Sequence, residues 1–292
     1  MSILESIKNL VTDPPPAFVF ELSEAGVAYS RLLPGGTPET GFAPYDAGTL
    51  MPSPIEDNIK RPETIATVLD RFAAQAGSRK SIPAAVILPD FAARVSVLDF
   101  DQFPSAKEEQ MSLIRFRIRK TVPFDVDSAA LSYFVQPAKG AKGKIEVVTV
   151  TVALEVIARY EALFRQANFH AGEITTSGLA ALNLFSGTET AAVAKLSGRT
   201  LTVMVVAGGA LKLYRCVELE QVSEEEILSV LYPTLAYVED ELGDKSARVV
   251  LCGFPQGALA ELEGRKDVLR AGGVTPGPFN AGLLGYLGGA VN

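Results

Sequence analysis

The chain has 292 residues, 48% hydrophobic and 21% charged, with a net charge of −7 and a pI near 5.0. That length buries a large core and allows two domains, while the acidic balance argues against wholesale nucleic-acid binding. The single histidine, His170, rules out a multi-histidine metal site, and Cys216 and Cys252 stand in apolar runs that read as reduced core.

The first segment places Ile3, Leu4, Ile7, Leu10 and Val11 on one helical face before Pro14–Pro16. It reads as an amphipathic helix and a stiff linker, docked on a membrane, on a partner or on its own domain; Lys8 is its one basic residue. No signal peptide is visible, and no run reaches the roughly 18 apolar residues of a membrane span. Residues 17–23 and 26–33 predict a strand hairpin, and 34–54 at most an irregular edge strand. Pro62 opens a helix to Ala76, with Ile65, Val68, Leu69 and Phe72 as its buried stripe and Gly77 as its stop.

The wholly apolar run 84–89 predicts a central parallel strand. Asp90 follows it, either a turn residue after Pro89 or the one carboxylate placed to act as a base. A strand at 93–100 leads to a helix with Ser105 and Glu108 as a capping box, stopped at Val122-Pro123. Strands at 131–135 and 145–153, a helix at 155–167, a strand at 169–175 and a helix at 177–185 close the first half. The second half opens with strands at 190–196, 199–207 and 210–219, turning at Ser197-Gly198 and Gly208-Gly209. Ser223 caps a long helix that Pro233 is expected to kink. A strand at 247–253, a helix near 256–263 and a glycine-rich helical end follow. Each half thus reads β-β-β-α-β-α, with a β-α-β-β insertion at 91–153.

That order is an α/β plan of duplicated actin-like, ribonuclease-H-like lobes. The domains are 1–16, the N-terminal helix and linker; 17–90 with 154–187, the first lobe; 91–153, the inserted subdomain; and 188–292, the second lobe. Three strings carry a closer resemblance: PSPIEDNIKRPETIATVL, KEEQMSLIRFRIRKTVPFDVDSAALSYFV and GLLGYLGGAV. Together with the short amphipathic start, the chain resembles the PilM family of type IV pilus assembly proteins, relatives of the cell-division protein FtsA.

The chain departs from that family where nucleotide phosphates would sit. Glu21 stands in place of Asp, Ser23 of Gly, Ala28 of Lys, and Ala194 and Lys195 of an acidic stretch; Gly253 survives but Phe254 intrudes beside it. Phosphate needs close backbone N–H groups and a cation, which these changes remove. A helical block is also missing, since Glu218 runs almost directly into Ser223. The fourth subdomain is therefore expected to be absent or much reduced and the cleft open.

With those departures, the resemblance implies a pseudo-ATPase with no catalytic residues, no metal, and ATP/Mg binding that is weak at best. It implies a cytosolic scaffold at the cytoplasmic face of the inner membrane, in a type IV pilus or related secretion platform. Its partner would be an inner-membrane PilN-like protein, held by its N-terminal cytoplasmic peptide; peripheral membrane association and self-assembly are compatible with this. The peptide is expected in a seam between the insertion and the first lobe, at Phe103, Pro104, Phe116, Val122, Phe124 and Tyr133. The basic run Arg115, Arg117, Arg119 and Lys120 suits an acidic partner or anionic phospholipid, or is a solvated helix face. The alternatives are an active actin-fold ATPase or sugar-kinase relative using Glu21, Mg²⁺ and Asp90, and a type II secretion platform domain, whose family normally continues into a transmembrane helix.

Overall fold

In the computed structural model, residues 16–32, 37–77, 80–137 and 144–290 are described. The expected N-terminal helix lies outside the described residues. The first part of the chain forms β1 (Phe18–Leu22), β2 (Gly26–Arg31), β3 (Glu39–Pro44), α1 (Pro62–Ala76) and β4 (Ile82–Leu88). The insertion forms β5 (Arg94–Phe100), α2 (Lys107–Ile118), β6 (Ala129–Val135) and β7 (Ile145–Ala153). Next come α3 (Leu154–Gln166), β8 (Phe169–Thr176) and α4 (Ser177–Ala181). The rest is β9 (Ala191–Ser197), β10 (Thr200–Ala207), β11 (Ala210–Glu218), α5 (Glu224–Leu242), β12 (Arg248–Cys252), β13 (Lys266–Val268) and α6 (Ala281–Ala290).

Two five-stranded sheets result, ordered β3-β2-β1-β4-β8 and β11-β10-β9-β12-β13. In each, two antiparallel pairs are followed by two parallel strands. Alternation along a strand sends its residues to opposite faces. Phe18, Phe20 and Leu22 of β1 meet the stripes of α1 and α3, including Leu69, Phe72, Tyr160 and Phe164. Val19 of the same strand faces the other way, toward α4 and α6. In the second sheet Leu201, Val203 and Val205 meet Leu228, Leu231 and Leu235 of α5.

The helices α4 and α6 lie between the lobes. Ala180 belongs to the apolar cluster of the first sheet, and the next residue, Ala181, to that of the second. Their axes come close because glycines face the contact. A Cβ on Gly285 would fall 2.0 Å from the Ala180 carbonyl oxygen, and one on Gly282 would fall 2.8 Å from the Cα of Ser177.

The insertion is a three-stranded antiparallel sheet, β5-β7-β6, with α2 packed on it through Ile114 and Ile118. It was expected beside the first lobe, and it meets the second lobe as well. Val150, Val152 and Ala153 do join the first lobe's core, but Val97 and Val148 pack with Met204, Val206 and Leu211 of the second. The buried Gln136 side chain donates to the Leu211 carbonyl (2.7 Å) and accepts the Leu211 N–H (2.8 Å), as a neighbouring strand would. Lys212 binds both oxygens of Glu146 at 2.7 Å.

Two local expectations also change. The N-cap of α2 is Ala106, not Ser105, and no side chain caps it; Gln110 reaches back instead to the Pro104 carbonyl (2.6 Å). The helix expected near 256–263 is a single turn, Ala260–Leu262, followed by edge strand β13. Left-handed residues at Gly257, Leu259 and Gly264 leave too few residues to nucleate a longer helix. The long helix α5 runs through Pro233 as one element between its Ser223 and Gly243 caps, its buried stripe outweighing the roughly 3 kcal/mol that an interior proline costs. Among the described residues, no helix is long and apolar enough to cross a membrane.

Candidate functional site

The face of the second sheet that looks at the first lobe carries a row of unusual residues. In register across β12, β9, β10 and β11 stand Cys252, Lys195, Thr202 and Cys216. Directly opposed residues on neighbouring strands project to the same side. Lys195 is therefore aimed into the lobe interface, where it is 1% exposed.

Asp90 meets it from the first lobe, in the turn after β4. One carboxylate oxygen accepts from Lys195 Nζ (3.1 Å) and Thr202 Oγ1 (3.0 Å). The other accepts from Tyr214 Oη (3.0 Å) and from the Gly178 N–H (2.5 Å), in the first turn of α4. Four donors satisfy the carboxylate without water, as a buried charge requires.

Glu21, the second buried carboxylate, does the same for α6. It accepts the Ser177 hydroxyl and the N–H groups of Gly282 (3.3 Å) and Leu283 (2.7 Å), the start of α6. Both helix N-termini, each a ready anion seat, are thus filled by the chain's own carboxylates.

The three turns expected to hold a nucleotide make contacts of their own. Ser23 turns its hydroxyl (2.9 Å) and its N–H (3.0 Å) onto the Gly26 carbonyl, within its own hairpin. Gly198 adopts φ +56°, and a Cβ there would fall 1.6 Å from a carboxylate oxygen of Glu24. Glu24 also accepts the Arg199 backbone N–H, so the first lobe's hairpin closes onto the second lobe's. Gly253, at φ +75°, packs so tightly that a Cβ would lie 2.3 Å from the Leu196 carbonyl oxygen and 2.9 Å from the Pro278 Cα. Beside it, Phe254 lines a small cavity of about 290 Å³ with Leu196, Ile227 and Leu259.

No protein-family model and no curated protein matches the chain. Among solved structures it is similar to a chain of a PilM–PilN type IV pilus biogenesis complex, at 14% identity over 95% of this chain and 99% of that one, TM-score 0.66. It is also similar to a Bacteroides thetaiotaomicron protein with an actin-like ATPase fold, at 12% identity over 91% and 94%, TM-score 0.58. The cytoplasmic domain of EpsL, an inner-membrane component of the Vibrio cholerae type II secretion system, matches at 12% identity over 94% of both chains, TM-score 0.55. The fold is actin-like.

Within this actin-like fold, the cleft expected to be open is filled by side chains. Glu21, Asp90 and Lys195 are 2%, 3% and 1% exposed. The short link from β11 to α5 does not uncover the interface, because the lobes close on a polar network of their own. Burial pushes the Glu21 carboxyl up, against the opposing pull of Lys195 and the Ser177 and Leu283 donors. Burial works against the Lys195 ammonium, but Asp90 and then Glu21 outweigh it and raise its pKa. Burial also pushes both thiols up to about 12, so Cys216 and Cys252 are inert free cysteines. Among the described residues, no cluster of three or more His, Cys, Asp or Glu could hold a metal.

Of the positions singled out in the sequence, Glu21 and Lys195 reach the network. Ala28 lies opposite Glu21 in the β1–β2 ladder, packed in the apolar cluster of Ala180 and Leu283. Ala194 faces the other way, into the core under α5. The sequence reading missed Glu24, Ser177, Thr202 and Tyr214; Asp90 does stand in a turn after Pro89, but its burial and its four donors were not foreseen. One signal was available, a lysine inside the apolar strand run AAVAKL.

The partner candidates separate. Phe103 and Phe100 have ring centroids 5.0 Å apart, Tyr133 meets Phe103 edge-on, and Val122 packs on the same cluster. These belong to the insertion's own core. Phe124 and Pro104 are half-buried, and Phe116 is exposed.

Proposed function

We propose that this chain is a non-hydrolysing actin-like scaffold of a type IV pilus or related secretion assembly platform. It works at the cytoplasmic face of the inner membrane and docks the N-terminal cytoplasmic peptide of a PilN-like membrane protein. The similarity to the PilM–PilN structure over nearly the whole of both chains supports the assembly role. The observation that carries the absence of hydrolysis is the occupied cleft. Asp90 is bound to four donors and Glu24 sits on the second hairpin turn, so a nucleotide would have to break buried charge-assisted bonds to enter.

Two calorimetric titrations test the reading. The partner's N-terminal peptide is expected to bind, and Phe124→Ala to weaken it about tenfold, the order of one aromatic contact. Mg-ATP is expected to bind more weakly than about 100 μM, or roughly −5.5 kcal/mol, with no turnover. Mg²⁺-dependent hydrolysis that disappears in Glu21→Ala would replace the scaffold with an active ATPase. Absence of peptide binding in a folded chain would remove the platform assignment and leave the actin-like fold standing.

A further inference from the structure

The last turn of α2 carries an arrangement that the lobe interface does not use. Phe116 is 75% exposed, the most of any large apolar side chain among the described residues. It is flanked by Arg115 and Arg117 and followed by Arg119 and Lys120. Asp127 takes Arg119 at 2.8 Å. Among the described residues, no carboxylate lies within ion-pair distance of Arg115, Arg117 or Lys120. Arg117 lies over the Phe100 ring at 5.2 Å, and the nearby Asp99 is held by Lys144 at 2.7 Å. Asp125 is turned onto its own backbone, accepting from the Asp127 N–H and the Ser128 hydroxyl. The acidic start of the helix, Glu108 and Glu109, is about 10 Å away along the axis.

On a chain of net charge −7, this is a local cationic patch around a bare aromatic ring. Phe116, on a convex helix, lines neither the cavity beside Phe254 nor the one between β3 and α1. A ring that enters a lipid headgroup layer needs no cavity, and surrounding cations gain from anionic headgroups. We infer that the C-terminal turn of α2, with Phe116 at its centre and Arg115, Arg117 and Lys120 around it, is a peripheral contact for an anionic phospholipid surface. Lys120, the outer faces of the half-buried Arg115 and the Phe100-stacked Arg117, and one ring make a weak, reversible contact that orients the insertion toward the bilayer. This does not depend on peptide docking.

The chain contains no tryptophan, so Phe116→Trp places a single reporter at the patch. Its emission is followed in the full chain with phosphatidylglycerol-rich vesicles and with phosphatidylcholine vesicles. The expected result is a blue shift with anionic vesicles only, lost at 0.5 M salt, where screening is short-ranged. Lys120→Gln on the same background should lower partitioning about fivefold, the equivalent of about 1 kcal/mol per cation. Three outcomes overturn the proposal. Vesicles that sediment the protein without changing the emission place the contact elsewhere in the chain. An equal response to neutral vesicles removes the electrostatic half. A response to polyglutamate but not to lipid makes the patch a seat for an acidic polypeptide. If Phe116→Trp does not fold by circular dichroism, salt-sensitive sedimentation of the unaltered chain against its Lys120→Gln variant decides.

Discussion

Lys195 shows how a residue's meaning depends on what faces it. A buried ammonium with no partner would shed its proton or unfold the strand, but with Asp90 at 3.1 Å it is a bolt between lobes. Removing one partner of a buried pair costs more than the pair contributes, because the other charge is stranded. Lys195→Met should therefore cost about 3–5 kcal/mol in urea denaturation, and Asp90→Asn added to it should recover part of that loss. A double variant as unstable as the two single losses summed would mean that the residues act separately. Glu21 supports a pH prediction. Its pKa is raised on folding from the usual 4.5, so the folded chain holds that proton more tightly than the unfolded one. Its contribution is then least unfavourable at low pH, and stability is lost as pH rises from about 4.5 through the folded pKa. Glu21→Gln removes that titration, so the variant should gain on the parent chain as pH rises from 4.5 to 8. A flat difference between the two across that range would contradict the direction of the shift.

At the scale of elements, the interlobe pair α4 and α6 shows why glycine positions differ within one helix. Gly285 faces the Ala180 carbonyl, which is backbone and cannot move aside. Gly288, one turn on, would place a Cβ 3.8 Å from a Leu184 methyl, an ordinary contact. Gly285→Ala is expected to cost about 1–3 kcal/mol by forcing the helices apart. Gly288→Ala should be neutral or stabilise by up to about 1 kcal/mol, because alanine favours the helix and restricts the unfolded chain. Thermal melts of the two variants check the contrast, and equal effects would mean that the close approach does not govern the pair.

At the scale of the molecule, three bodies are joined by a few specific contacts. The lobes meet at Asp90–Lys195 and at Glu24 on the Gly198 turn; the insertion meets the second lobe at Gln136 and Glu146. Gln136→Ala leaves the Leu211 carbonyl and N–H without that partner in a buried position, a loss of about 1–3 kcal/mol. It should raise amide exchange at Leu211 while leaving the first lobe's amides protected. Uniform exchange across all three bodies would mean that the insertion and second lobe do not separate as units. Such joints tie the three bodies to one another through buried polar contacts.

The sequence by itself determined the elements and their order. Apolar alternation, the hairpin turn at Ser197-Gly198 and the stripe of α1 are local signals, each within a few residues of its cause, and they repeat in both halves. So the duplicated lobes and the inserted sheet were legible, and so was the oddity of Lys195 in an apolar strand. Local signals erred where several weak preferences competed over a short stretch, as at Ser105 and at the turn that became β13. What the carboxylates do was decided only in three dimensions. Asp90 meets a lysine 105 residues further on, and Glu21 meets N–H groups 261 and 262 residues away. Read along the chain, Asp90 is a turn residue and the cleft is empty. Only the packing of one sheet face against another brings those charges together and closes it, because a buried charge is stable only where the fold delivers its partners.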